Sequence, residues 1–352
     1  MTRGAPDFRW DKLRAEQITT NDHDRLYRTF VPIYSMKDHS RYITDDFGRS
    51  FFLYEWLPED PPSIRGVVQI VHGMMEHAGR YAPLAEYMTT RGFVVVAEDH
   101  FGHGRTAPDP KALGHLDGKK GWQGILRQLK SVMLDFKEHY SGLPFTLMGH
   151  SMGSILARHF AILHGEMLDA LILSGPDHTT LPLIGAGRVL AGGSGFLYGH
   201  HYRNRMLNYL TYKTFNHHFK PNRTAFDWLT TDQETVDNYL NDPLCGYPST
   251  SGFYRGMFHG LLSINRSRNL RHIPDNLPVL LYSGSEDAVG KFSSGPRRIA
   301  RQLKEAGIRD ITMRTYPGGR HEMHNESNRQ EVFADIADWI VMKTHVIERS
   351  SI

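Results

Sequence analysis

The residues Gly149-His150-Ser151-Met152-Gly153 spell G-x-S-x-G, a spacing that suits nucleophilic chemistry at a serine. The pattern puts a serine on a sharp, strained turn with its hydroxyl lifted clear of the backbone. Side chains at 149 or 153 would crowd the neighbouring backbone, which explains the glycines. Such a turn needs a strand before it and a helix after it, and FTLM and SILARHFAIL flank the motif as those elements. The amino end of that helix favours negative charge at the site. A serine hydroxyl is a poor nucleophile near neutral pH. It needs a histidine to take its proton, and the histidine needs a carboxylate to orient it. On a strand–turn–helix frame these partners follow the serine in chain order, acid first. Asp287 lies just past the apolar run PVLLY, in Ser283-Gly284-Ser285-Glu286-Asp287, and is the expected acid, with Glu286 as its rival. His321 follows the next extended segment, in Tyr316-Pro317-Gly318-Gly319-Arg320-His321, and is the expected base, with His324 as its rival.

Acyl transfer also needs two backbone N–H groups aimed at the oxygen that becomes charged. Met152, next to the serine, is expected to supply one. Met74, in the loop His72-Gly73-Met74-Met75-Glu76-His77, is expected to supply the other. His72, Gly73 and Met75 of that loop, and His150 of the turn, are expected to border the substrate. His321-Glu322-Met323-His324 is not the H-E-x-x-H zinc pattern, and the 21 histidines show no ligand spacing. No metal and no other cofactor is expected.

The elements that must hold these residues are legible as alternating apolar runs. Arg41–Thr44 and Phe51–Trp56 read as a hairpin around Asp45-Asp46-Phe47-Gly48. From Gly66 the pattern becomes strand, helix, strand, helix. Gly66–Val71, Phe93–Ala97, Phe145–Met148 and Ala170–Leu173 are buried strands. Tyr81–Thr90, Trp122–Tyr140 and Ser154–Leu163 are the helices between and after them. The alternation stops near residue 176 and resumes with Pro278–Tyr282, followed by a helix at Arg297–Ala306, a strand at Asp310–Thr315 and a helix at Gln330–Val341. This is an α/β chain with a mostly parallel central sheet, helices on both faces and an inserted cap. The core is expected at residues 41–175 and 269–345, the cap at 176–268, and an N-terminal extension at 1–40. The cap is rich in aromatics, among them Phe196, Tyr198, Trp228 and Tyr254, which suit either an acyl pocket or the insert's own core.

Composition narrows the class. The chain has 352 residues, 40% hydrophobic and 22% charged, which is ordinary for a globular protein. A net charge of +3, with acids and bases interspersed, argues against nucleic acid. Cys245 is the single cysteine, so no internal disulfide can form, and it reads as a small buried hydrophobe. The first residues lack the apolar stretch of a secretory signal, and no run approaches a membrane span. A cytoplasmic location is expected. The expected partner is a small-molecule or lipid ester, with transient membrane-surface contact through the cap as an open expectation.

Taken together, HGMMEHAGRY, AEDHFGHGRT, LMGHSMG, SGSEDAVG and YPGGRHEMHNE resemble the monoacylglycerol lipase and lysophospholipase group of α/β-hydrolases, also filed as serine-aminopeptidase-like. The likeness runs from about Gly66 to Trp339. The cap segments FKPNRTAFDWL and NDPLCGYP are similar to bacterial members. The resemblance implies the α/β-hydrolase fold, a triad of Ser151, Asp287 and His321, and oxyanion donors at Met74 and Met152. It also implies structural roles beside the site for Glu76, His77, Arg80 and Tyr81. Two positions depart from the group's pattern: Met74, where relatives often carry a small residue, and Ala288, where many hydrolases of this fold place proline. The expected activity is hydrolysis of a carboxylic ester with an apolar acyl chain through an acyl-enzyme. Acyl transfer to another acceptor, thioester hydrolysis or peptide hydrolysis would use the same triad. A non-enzymatic ligand-binding homologue would be expected to have lost a triad member, and here all three candidates are present.

Overall fold

The computed structural model describes residues 39–59 and 64–349. The extension read at residues 1–40 lies outside them, apart from its last two residues. The strands are β1 (Arg41–Thr44), β2 (Ser50–Trp56), β3 (Gly66–Val71), β4 (Phe93–Glu98), β5 (Phe145–His150), β6 (Ala170–Ser174), β7 (Val279–Gly284) and β8 (Ile311–Tyr316). They form one sheet in the order β1-β2-β4-β3-β5-β6-β7-β8. β2 runs antiparallel to both β1 and β4, and every other pairing is parallel.

Side chains alternate across each strand, so one sequence feeds two cores. Val67, Val71, Leu147 and Leu281 face one side, where α2 (Gly118–His139), α3 (Met152–His164) and α8 (Ser294–Ala306) cover them. Val68, Ile70, Met148 and Leu280 face the other, under α1 (Ala82–Thr90) and α9 (Arg329–Arg349). Each fully buried Leu, Ile or Val contributes about 1.5–3 kcal/mol of transfer free energy, and the double layer is what keeps the central strands straight-run apolar.

Several elements begin earlier or end later than their apolar pattern. α2 starts at Gly118 rather than Trp122, because Gly118-Lys119-Lys120-Gly121 is a polar first turn with no apolar periodicity. β5 runs on through Gly149 and His150, since both are carried by ladder partners, Val71 on one side and Leu173 and Ser174 on the other. α9 continues past Val341 to Arg349 through the mixed segment MKTHVIER.

Parallel pairing aligns the carboxyl ends of β3, β5, β6, β7 and β8 along one rim. Val71 pairs with Gly149, His150 with Ser174, Ser174 with Tyr282, and Gly284 with Tyr316. The loops beginning at His72, Ser151, Gly175, Ser285 and Pro317 therefore leave the sheet side by side. Between β6 and β7 the chain makes helices α4 (Leu181–Tyr198), α5 (Arg205–Asn216), α6 (Gln233–Asn241) and α7 (Ser251–Ile264) and adds no strand to the sheet. Among the described residues no helix is long and apolar enough to cross a membrane.

Candidate active site

Ser151 sits between β5 and α3 with φ 53° and ψ −116°. A positive φ at a non-glycine residue costs of order 1 kcal/mol or more and persists only where the surroundings enforce it. Here they do. The Ser151 N–H donates to the Ser174 carbonyl at 2.9 Å, and a Cβ on Gly153 would collide with the Val71 carbonyl oxygen. The sharp turn thus depends on the glycine two residues on. Met152 is the first residue of α3, where backbone N–H groups have no intrahelical acceptor. Gly73, in the loop after β3, faces the serine: a Cβ placed on it would lie 3.4 Å from that of Ser151. Met74 follows it, half-buried against the core.

Asp287 and His321 meet. His321 Nδ1 lies 3.0 Å from Asp287 Oδ1, and both side chains are buried. A carboxylate cannot donate, so Nδ1 carries the proton and Nε2 is the basic nitrogen. The same Asp287 oxygen accepts from the Val289 and Gly290 N–H groups at 2.9 and 3.2 Å, which fixes the carboxylate. Burial alone would lower the His321 pKa, but the charge of Asp287 and its hydrogen bond outweigh this and raise it above the ordinary 6.5. The rivals separate. Glu286 points to solvent. His324 is buried with its ring stacked on Tyr81 at 4.6 Å, and burial pushes its pKa down to about 3.

Gly175 lets the histidine approach the elbow. A Cβ there would lie 3.0 Å from His321 Cε1 and Nδ1, so only glycine leaves room for the ring. Gly175 follows Ser174, which holds the Ser151 N–H, so Ser151 and His321 flank the same short stretch of backbone. The Ser151 hydroxyl does not hydrogen-bond His321 here: Nε2 is buried and makes no hydrogen bond with any described residue. The structure therefore joins the Asp287 carboxylate to the His321 imidazole and sets Ser151 beside them.

The residues expected to border the substrate differ in placement. His72 is fully buried and turned inward: its Nε2 accepts the His100 N–H at 3.0 Å, which leaves the Nδ1 proton for the Gly73 carbonyl at 2.7 Å. Met75 is also buried, with φ 58°, and its carbonyl accepts from the Gly246 N–H and the Tyr239 hydroxyl at 3.0 Å each. His150 lies against the His321 ring, 4.7 Å between centroids, and pairs its Nδ1 with the Ser174 hydroxyl at 3.0 Å. Burial drives its pKa down, and His321 adds to the effect, so it stays neutral beside His321.

One feature was not legible from the motifs. Arg80 bridges two loops. Its guanidinium reaches Glu76 at 2.5 Å and grips both oxygens of Glu322 at 2.8 and 2.6 Å. Glu76 in turn accepts the Gly73 N–H at 2.5 Å and the Tyr81 hydroxyl at 2.9 Å. The loop that carries Met74 and the loop that carries His321 are thus tied through one buried ion triad. Burial raises Glu76, while the Arg80 charge outweighs burial at Glu322 and lowers it. Glu322 beside His321 was visible in the sequence, but its partner is 242 positions away. His77 and Asp242 make a second tie, Nε2 to Oδ2 at 2.8 Å, with the Cys245 thiol in the same cluster.

The sequence profile of the family described as serine aminopeptidase, S33, matches residues 62–328. The chain is 26% identical over 298 residues to a monoacylglycerol lipase of Mycolicibacterium smegmatis, spanning 81% of this chain and 91% of that one. It is 27% identical over 309 residues to the human monoglyceride lipase, spanning 84% and 88%. Among solved structures it is similar to a thermostable carboxyl esterase of Bacillus coagulans in complex with glycerol, at TM-score 0.78 and 27% identity, over 88% of this chain and all of that one. The fold is that of the α/β-hydrolases, as the sequence motifs imply.

Proposed function

The chain belongs to the serine aminopeptidase S33 family of serine hydrolases, and from that premise we propose that it hydrolyses carboxylic esters with apolar acyl chains, of the monoacylglycerol or lysophospholipid kind. Ser151 attacks the ester carbonyl as His321 Nε2 takes its proton. A rotation of the hydroxyl toward Nε2 completes the relay when substrate binds, since such bonds tighten in the Michaelis complex. Asp287 keeps the imidazole in the Nδ1–H form and stabilises its charged state. The Met152 and Met74 N–H groups receive the oxyanion, each worth about 10²–10³ in rate. His321 then protonates the leaving alcohol, and water releases the acyl group by the same route. The observation that carries the reading is the buried Asp287–His321 pair beside the strained Ser151 turn.

Acyl specificity is tested with p-nitrophenyl and glycerol esters of increasing chain length, and with thioester and peptide analogues of matched length. Each buried methylene contributes about 0.8 kcal/mol, so the six added from acetyl to octanoyl are expected to raise kcat/KM by up to about 10³-fold where the whole chain is buried. A peptide or thioester turned over faster than its matched ester would overturn the ester assignment and leave the triad standing.

The insert at 176–268 acts in this reading as the cap over the strand ends, and its outer face as the approach to lipid. On α4, Val189, Phe196, Leu197 and Tyr198 are exposed, Phe196 to 89%. Residues 178–226 contain no Asp or Glu, and Arg188 is exposed on the same helix. An apolar, cationic face suits anionic lipid. Co-sedimentation is expected with vesicles containing phosphatidylserine, and the double substitution Phe196→Ser, Leu197→Ser should weaken it about a hundredfold, through two large side chains worth about 1.5 kcal/mol or more each when buried. Equal binding to neutral vesicles, or no effect of the double substitution, would count against this face.

A further inference from the structure

We infer that Trp228 is a positioning residue for His321, holding the imidazole plane and stabilising its charged form through the indole face. The inference rests on the triad reading above. Trp228 is buried, and its ring centroid lies 5.3 Å from that of His321 at an interplanar angle of 41°. It belongs to the segment between β6 and β7, not to the sheet that supports the rest of the site.

The groups around His321 leave this role unfilled. Asp287, beyond β7, holds Nδ1. Gly175 backs the Cε1 edge. His150 of β5 lies 4.7 Å away, centroid to centroid, and is kept neutral. Glu76 and Glu322 act on the ring through charge and are both engaged by Arg80, while His324 of the same loop is stacked on Tyr81. A ring held at one nitrogen can still rock about that hydrogen bond. An aromatic face packed on it removes the rocking, and displacement by about 1 Å of a reacting group can cost about 10²-fold in rate. The same face attracts a cation within about 6 Å, more strongly where water is excluded. The imidazolium that forms during the reaction is such a cation.

What distinguishes Trp228 from a space-filling side chain is how its backbone is held. The segment Asp227–Thr231 is fastened along the loop that carries His321, residues 320–326. Arg320 donates to the Asp227 carbonyl at 2.5 Å and the Thr230 carbonyl at 3.3 Å. The Glu322 N–H donates to the Leu229 carbonyl at 2.7 Å. The Thr230 hydroxyl donates to the Asn325 carbonyl at 3.1 Å. The Thr231 N–H and hydroxyl both reach the Glu326 carboxylate, which also accepts the Arg320 N–H at 2.8 Å. Apart from the local Arg320–Glu326 bond, each of these bonds spans about ninety residues of chain and ends within five positions of His321. The indole therefore travels with the histidine loop, whatever the rest of the insert does.

The test compares kcat/KM against pH for the wild type, Trp228→Leu and Trp228→Phe, with Ser151→Ala and His321→Gln as references. Leucine keeps an apolar filler and removes the π face. Trp228→Leu is expected to move the acid limb down by about half a pH unit, the size of one cation–π contact. It should lower kcat about tenfold while KM changes less than about twofold, the signature of an interaction made only in the transition state. Trp228→Phe should recover at least part of both effects. A folded Trp228→Leu enzyme with the wild-type acid limb and kcat overturns the inference alone, provided the two reference variants are inactive. If Ser151→Ala or His321→Gln keeps turnover, the triad reading fails first and the inference falls with it. Should Trp228→Leu not fold, Thr231→Val removes one hydroxyl from the strap, and an unchanged kcat in that variant overturns the inference.

Discussion

Ser151→Ala is expected to lose about 10⁵-fold in kcat toward any ester the wild type accepts, the scale seen when a triad nucleophile is removed. The variant keeps both N–H donors, the Asp287–His321 pair and the substrate surfaces, so a small residual rate over water remains. Its fold should be intact. Alanine needs the same backbone conformation as the serine, φ 53°, which the Ser174 and Val71 carbonyls impose on either residue. The hydroxyl makes no bond to His321 in the resting structure, so its loss leaves no new unpaired partner there. The melting temperature should therefore stay within a few degrees of wild type, where about 1 kcal/mol corresponds to about 2–4 °C for a domain of this size. A fluorophosphonate probe reports the same site covalently: it should label the wild type at one residue and leave Ser151→Ala unlabelled. Labelling that persists, or turnover above about one per cent of wild type, would sink the assignment of the nucleophile.

Ser151 could be proposed as the nucleophile from sequence because its signal is local. Five adjacent residues carry both the chemistry and the backbone constraint, and the strand and helix that flank them are strongly apolar. Asp287 and His321 could be proposed as its partners for a related reason: each follows an apolar strand end, parallel strands bring such ends to one rim, and the two side chains meet there. What could not be read is whatever depends on pairing across long separations. Arg80 and Glu322 sit in motifs that were recognised separately, yet nothing in either motif says that the two close on one another. Trp228 stood out only as one aromatic of an insert rich in them. Its neighbour became visible through hydrogen bonds made by backbone carbonyls at Asp227 and Leu229, which carry no side-chain signature at all. His72 and Met75 were placed at the substrate because they lie in the right loop. Their loop conformation turns both inward, through a tautomer fixed at His72 and a left-handed backbone at Met75.

Asp287→Asn is expected to lower kcat about 10⁴-fold, the second largest effect, and to move the pH dependence in a defined direction. In the wild type, one carboxylate oxygen accepts three N–H groups, from Val289, Gly290 and His321. Asparagine can satisfy the two backbone donors with its carbonyl oxygen, so the loop should survive. It brings no negative charge, and if its amide turns toward the ring it selects the tautomer whose proton sits on Nε2, where the base must be free. The pH dependence follows from the same charge. Burial lowers the basicity of His321, and Asp287 reverses this so that the net value lies above 6.5. The base works when neutral, so wild-type kcat/KM should climb with rising pH through a limb that lies above 6.5. With the carboxylate gone, burial is opposed only by the charges of Glu322 and Glu76, both engaged by Arg80, and the limb should move to lower pH. Profiles of kcat/KM from about pH 5 to 9 separate the two outcomes. A variant with a limb at the wild-type position, or one that loses less than about tenfold in kcat, would mean that Asp287 orients nothing and that the charge acting on His321 comes from elsewhere in the site.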